Sequence, residues 1–463
     1  MRPNVTFSIG NLAAIEKANA QFGFIDEIFG GMEGKAKTLL PSIKLLIYNR
    51  LGECHAVSRL ADVTPMELFS SVGALGPISD RTLNRSLERI GQKFELFHAR
   101  YQQWVKKHDL ASHEQFADFT SSYFVGDNCP LGKLGYSRDS QPGNLQLNYG
   151  VCVGSNKIPT VLTIQKGNVQ DKTHMGMMLK FCQKVLAKGS TVIFDCGGNT
   201  RKNKRTILKM GFHYLTLKAK KKKPYKKLIG VFRKNQPQKI EFGDEEYLCV
   251  KAEEDGEFQY IFFSKKLQKD QLRKKRAKFR NKIKKNEALL KKVRKGKEFK
   301  PQVCSEGWII TKGCLQKTID SLKNPFITGL EGFFILESSM NIEPIEILRM
   351  YKNRDKAEKL IRDIKEGAEI RPMRHWSADA IKGHLFIIFL TSALANLTLL
   401  FAKNPLVTNL KVLKKYLKNL TLTIVYPKDR FRFSVVSNIS PEIKSIFGNF
   451  IEKYGDKELG LRW

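Results

Sequence analysis

Apolar residues recur at spacings of four and three from Leu83 through Leu87, Ile90, Phe94, Phe97 and Tyr101 to Trp104, which lines one face of an α-helix about six turns long. Gly76-Pro77 precedes it, and Ser79 or Asp80 can cap its first turn. From about residue 115 the period changes: residues 116–124, 145–153 and 160–164 are β-rich runs separated by Gly, Pro and Asn, as in an antiparallel meander. A helical period returns over 171–186, followed by a short buried strand at 191–195, a helix near 201–210 and a strand at 213–217. Three strands followed by alternating helix and strand predict an α/β fold with a mixed sheet and flanking helices.

The pattern then breaks for about a hundred residues. Residues 218–239 hold ten Lys and Arg and no acid, and 265–300 hold eighteen against Asp270, Glu287 and Glu298. Between them, 246–251 and 258–263 flank the turn-like Glu254-Asp255-Gly256 and predict a β-hairpin. The apolar strand 332–336 resumes the core, so 219–325 reads as a basic β/α insertion. A charge-free run, 384–402, is nearly long enough to span a bilayer. Thr391, Ser392, Asn396 and Thr398 interrupt it and no second span accompanies it, so a buried helix is expected.

Charge narrows the class of partner. With 81 Lys and Arg against 45 Asp and Glu, the net charge is +36, which points to a polyanion, above all nucleic acid. A membrane surface would need an amphipathic apolar face that the Lys-rich stretches lack. The candidates for DNA contact are Lys220, Lys221, Lys222 and Lys223 in the insertion, and Arg81 and Arg85 on the N-terminal helix, where Arg89 and Lys93 continue the four-residue step. At 42% hydrophobic residues the chain is no disordered polycation. Its eight cysteines form no C-x-x-C pair and read as reduced thiols. No apolar signal-like run opens the sequence, so a cytoplasmic, nucleoid-associated protein is expected.

Residues 345–367 carry the most chemistry. On a continuous helix Tyr351, Arg354, Glu358 and Lys365 fall within an arc of about 60°, bordering Ala357, Leu360, Ile361 and Ile364. The run Tyr351-x2-Arg354-x3-Glu358-x6-Lys365 resembles the Y-R-E-K signature of DDE-type insertion-sequence transposases. Asp118 in FADFTSSYF, the run LGKLGYSRD, KGNVQD at 166–171, VIFDCGG at 192–198 and RPMRHWSADA at 371–380 resemble the same family in the same order.

That resemblance implies a ribonuclease H-like catalytic domain at 111–218 and 326–402. Around it would lie a helical DNA-binding region at 1–110, the insertion at 219–325 and a helical C-terminal tail at 403–463. Asp118, Asp195 and Glu358 would be the catalytic and metal-binding triad, and Tyr351, Arg354 and Lys365 contacts to the terminal phosphate and flanking strand. The cofactor would be Mg²⁺ or Mn²⁺, as two ions in the family's manner, because hard cations prefer oxygen donors. The partners would be double-stranded DNA, at terminal inverted repeats and target, and a second copy of the chain on that DNA. Asp127 rivals Asp118, although it stands in the turn-like GDNCP; Asp171 rivals Asp195, although it suits a helix cap. Cys196 stands where the family often has Arg. A ribonuclease H-like nuclease and a non-catalytic DNA-binding descendant are the alternative readings.

Overall fold

Helices and strands form where the apolar periods place them. The computed structural model describes residues 3–31, 39–126, 129–294, 324, 326–364, 373–402, 404–407, 409–428 and 431–455. The strands among them are β1 (Val5–Ser8), β2 (Glu114–Tyr123), β3 (Gln146–Gly154), β4 (Pro159–Lys166), β5 (Thr191–Phe194), β6 (His213–Leu217), β7 (Gln238–Phe242), β8 (Glu245–Glu254), β9 (Glu257–Phe263), β10 (Phe333–Ser338), β11 (Thr421–Lys428) and β12 (Phe431–Ser437). The chain divides into two units, residues 1–214 with 350–463, and residues 215–349.

In the first unit the strand order is β4-β3-β2-β5. β2, β3 and β4 pair antiparallel, and β5 lies parallel to β2, with Phe116 opposite Ile193. The parallel step requires a crossover, which the helix Asp171–Val185 supplies. β3 is buried along its whole length, and β2 is buried from Gln115 to Ser122 except at Asp118. Helices therefore cover both faces of these strands, and Asp118 marks an opening in one of them.

The predicted six-turn helix is two helices, Asp80–Gln92 and Phe94–Lys107, because the backbone leaves helical geometry at Lys93 (φ −104°, ψ 23°). Ser79 caps the first by accepting from Thr82 N. All seven stripe residues are nonetheless buried. The charge-free run lies in a 25-residue helix, Ala378–Ala402, long and apolar enough to cross a membrane yet mostly buried against the other helices of the unit. Its Thr391 and Thr398 hydroxyls and its Asn396 amide satisfy themselves on carbonyls four residues back. Residues 3–110 therefore share a compact unit with the sheet.

The tail expected to be helical contains helices Leu410–Asn419 and Pro441–Phe447, but also a hairpin of β11 and β12 with β1 on its edge. β-Branched and aromatic residues dominate both runs, and their propensity prevails.

The second unit holds antiparallel strands in the order β6-β10-β9-β8-β7, with helices Lys222–Lys234 and Lys265–Arg294. Its core joins Tyr225, Leu228, Ile229 and Phe232 of the first helix to Val250, Ile261, Phe333 and Ile335 of the strands. The β8–β9 turn is the predicted one, with Asp255 and Gly256 both at positive φ.

Candidate active site

Alternation along β2 sends Phe116 and Asp118 to one face and Phe119 to the other. Phe119 meets the His174 ring at 4.8 Å, on the side of helix Asp171–Val185. Phe116 lies 6.0 Å from the Lys356 ammonium and Asp118 faces Arg354, so this side belongs to helix Asp355–Arg362. Lys356 anchors that helix by donating to the Ser155 carbonyl at 2.8 Å.

The stretch expected as one helix from 345 to 367 is broken. Helix Pro344–Lys352 ends, Arg354 stands at the N-cap of the next, and helix Asp355–Arg362 begins. The uniform arc is lost, yet Arg354 N still bonds the Tyr351 carbonyl at 3.1 Å and its guanidinium lies 5.8 Å from the Tyr351 ring. One turn later Glu358 accepts from Arg354 Nη2. Lys365 and Asp127 lie outside the described residues.

Asp118, Arg354 and Glu358 thus meet, and Asp195 joins them electrostatically from the end of β5. The Asp118 carboxyl is pushed up to about 6, chiefly by burial; Arg354 opposes the rise, and the charges of Asp195 and Glu358 add to it. Asp118 Oδ1 accepts from Phe119 N at 3.0 Å, and Asp195 Oδ1 from Gly197 N at 2.9 Å.

A fourth carboxylate stands here that the sequence reading assigned to a helix cap. Gln170 is the N-cap residue of helix Asp171–Val185, whereas Asp171 takes an ion pair from Arg138 at 2.5 Å. A Cβ added to Gly197 would lie 2.8 Å from Asp171 Oδ2 and 3.1 Å from Asp195 Oδ1, so the two carboxylates bracket that glycine. Arg138 lies in the run LGKLGYSRD, but nothing local marks its role, because its partner Asp171 is brought in by the fold.

Among the described residues, no three His, Cys, Asp or Glu side chains stand close enough to hold one metal ion. The donor chemistry nevertheless fits a hard divalent cation: three carboxylates, one of them half-buried and raised chiefly by desolvation, share the field of a single guanidinium. The histidines are not part of this centre. Burial lowers His174 to about 3 and His375 to about 4 and depresses His384, and the last two lean on each other at 3.2 Å.

The remaining DNA candidates are surface residues. Arg81 and Arg85 are exposed on helix Asp80–Gln92. In the second unit Lys221, Lys222 and Lys223 are exposed, while the Lys220 amine reaches the Leu330 carbonyl at 3.5 Å. Lys227, Lys239 and Lys266 pair with glutamates of β7 and β8, which the composition of 218–239 and 265–300 alone conceals.

A mixed sheet flanked by helices thus sets Asp118, Glu358 and Asp195 in one electrostatic field on a strongly basic chain. The family model for the transposase DDE domain matches residues 147–394, more than half of the chain, and the chain belongs to that family. The matched stretch includes Asp195 and Glu358 and begins after Asp118. A solved cryo-electron microscopy structure, a piggyBac transposase synaptic complex with hairpin DNA, is 10% identical with a TM-score of 0.42, over 88% of this chain and 76% of that one. No curated protein matches.

Proposed function

We propose that this chain is the transposase of an insertion sequence, cutting DNA at the element's ends and joining the freed 3′-hydroxyl to target DNA. What supports this reading is that Asp118 and Glu358 both face Arg354, with Asp195 in the same electrostatic field, in a chain of the transposase DDE domain family. Asp118, Asp195 and Glu358 would hold Mg²⁺ or Mn²⁺, which would supply Lewis-acid activation of the attacking and leaving oxygens.

The protein's own groups do the rest. Asp118, in the middle of β2, and Asp195, just past the end of β5, are each fixed by a backbone N–H, so their carboxylates are held in place. Arg354, which neutralises them in the free protein, is placed to turn toward a DNA phosphate in the complex, where its planar fork suits two oxygens. Tyr351 beside it and Lys365 beyond would hold the terminal strand, and the exposed lysines and arginines would track the duplex backbone. Two element ends need two active sites, so the working form is a dimer on DNA, in the cytoplasm at the nucleoid.

The test is a cleavage and joining assay with Mg²⁺ or Mn²⁺ on the DNA flanking the reading frame, comparing wild type with Glu358→Ala at matched DNA occupancy. Defined cuts and a joined product, lost in the variant, are expected. DNA binding without cutting by the wild type would instead leave a DNA-binding protein, and cuts without joining a nuclease.

A further inference from the structure

A cavity of about 600 Å³ opens within the first unit, away from the carboxylate cluster. Its walls come from helix Leu39–Leu51, helix Val57–Val63, helix Asp80–Gln92 and the segment 374–384. Arg50, only 6% exposed, and Arg374 bring two guanidinium groups to it. His375 and His384 line it as well; burial with the nearby Arg50 charge keeps both neutral, and the 3.2 Å bond between their rings leaves the pair one N–H to donate and one ring nitrogen to accept. Glu88 is the one carboxylate among the described residues of the lining. Trp376 completes the wall: its ring edge would clash with a Cβ at Gly126, 2.7 Å away, so a glycine there seats the indole while 48% of the residue stays exposed.

Two guanidinium groups against one carboxylate favour an anion, and a buried Arg in a concave wall favours one that is held rather than passed over. An indole fixed at the rim offers a flat apolar face to whatever adjoins that anion. We propose that this cavity is a phosphate site for DNA, in which Arg50 and Arg374 hold one backbone phosphate and Trp376 lies against the adjoining nucleotide. The inference rests on the DNA-binding reading above and adds a contact that the carboxylate cluster does not supply. It also gives the N-terminal helices a role in gripping DNA through a walled site as well as through the exposed Arg81 and Arg85.

The experiment uses the full chain and a duplex of the element's end carrying 5-iododeoxyuridine at successive positions. Photo-cross-linking followed by peptide mapping is expected to place an adduct on Trp376, and Arg374→Gln, an exposed position that spares the fold, is expected to lower the slope of log affinity against log salt by about 1. Adducts only elsewhere, with the slope unchanged, overturn the proposal while duplex binding itself stands. A wild type that binds no duplex overturns both this proposal and the functional reading. Inorganic phosphate separates the sources: if it changes Trp376 fluorescence, judged against Trp376→Phe, while Arg374→Gln leaves the DNA slope intact, the cavity is a free-phosphate site and the DNA contact is refuted.

Discussion

Arg354 donates to the Glu358 carboxylate one turn ahead of it while its other terminal nitrogen stands 4.0 Å from Asp118 Oδ1. One cation therefore serves two acids, and a third, Asp195, contributes to the same field. The break between helices Pro344–Lys352 and Asp355–Arg362 makes this possible. Arg354 sits at an N-cap, outside the regular helix, and can lean across to β2 without leaving Glu358.

Removing that cation leaves carboxylates facing one another. Arg354→Ala is expected to destabilise the metal-free protein by about 1–2 kcal/mol, discounted because the Glu358 side chain is 43% exposed. Arg354→Lys restores charge without the two-pronged geometry and should recover only part of the loss. Urea unfolding in EDTA measures both, and a midpoint unmoved by Arg354→Ala would show that the pair carries no stability.

Asp118 gives a pH signature. Its carboxyl titrates at about 6 in the folded chain, against about 4 when unfolded. Between those values the folded state holds a proton that the unfolded state has lost, so this group's stabilisation is present below about pH 4 and is lost as the pH rises to about 6. Asp118→Asn removes the titration. The stability of Asp118→Asn relative to wild type, in EDTA, should climb across that window by at most about 3 kcal/mol and stay level above it. A flat difference curve would mean that Asp118 is not held in a buried, acid-rich setting.

Two glycines let the long apolar helix approach its neighbour. A Cβ on Gly383 would stand 1.9 Å from the Leu87 carbonyl oxygen, and one on Gly91 1.8 Å from that of Asp379, so helices Ala378–Ala402 and Asp80–Gln92 touch backbone to backbone. Gly383→Val is expected to cost about 3 kcal/mol or more, since the helices must part. Gly230→Ala in helix Lys222–Lys234, with nothing within 4 Å of the added carbon, should instead stabilise by about 0.5–1 kcal/mol. Thermal unfolding of the two variants checks the contrast, and equal effects would refute the close approach.

Much of this was legible in the chain because it is local. The period-two runs at 116–124 and 145–153, the strand ending at Asp195 and the turn at Asp255-Gly256 each carry their own signal, and β2 to β5 follow from them. The break after Lys352 was not legible, because Lys352, Asn353 and Arg354 include no Gly or Pro. β11 and β12 were readable from their β-branched and aromatic residues, yet basic neighbours and the preceding helix masked them. The Arg138–Asp171 pair and the Arg50–Arg374 cavity join residues far apart in sequence, which no spacing rule reaches.

The lysines of the second unit differ in what they have left to offer DNA. Lys227, Lys239 and Lys266 already face glutamates at 2.6–2.7 Å, and Lys220 is drawn toward Leu330 with its ammonium partly desolvated and its affinity for a proton lowered. Lys221, Lys222 and Lys223 stand exposed at the start of helix Lys222–Lys234. Neutralising these three to Gln should therefore flatten the salt dependence of duplex binding by up to about 3 in log–log slope, each bound phosphate releasing about one counterion. Neutralising Lys227, Lys239 and Lys266 should change the slope far less, because their charge is already spent on carboxylates. Equal effects from the two sets would mean that the glutamates yield to DNA, and no effect from the first would take this segment off the contact surface.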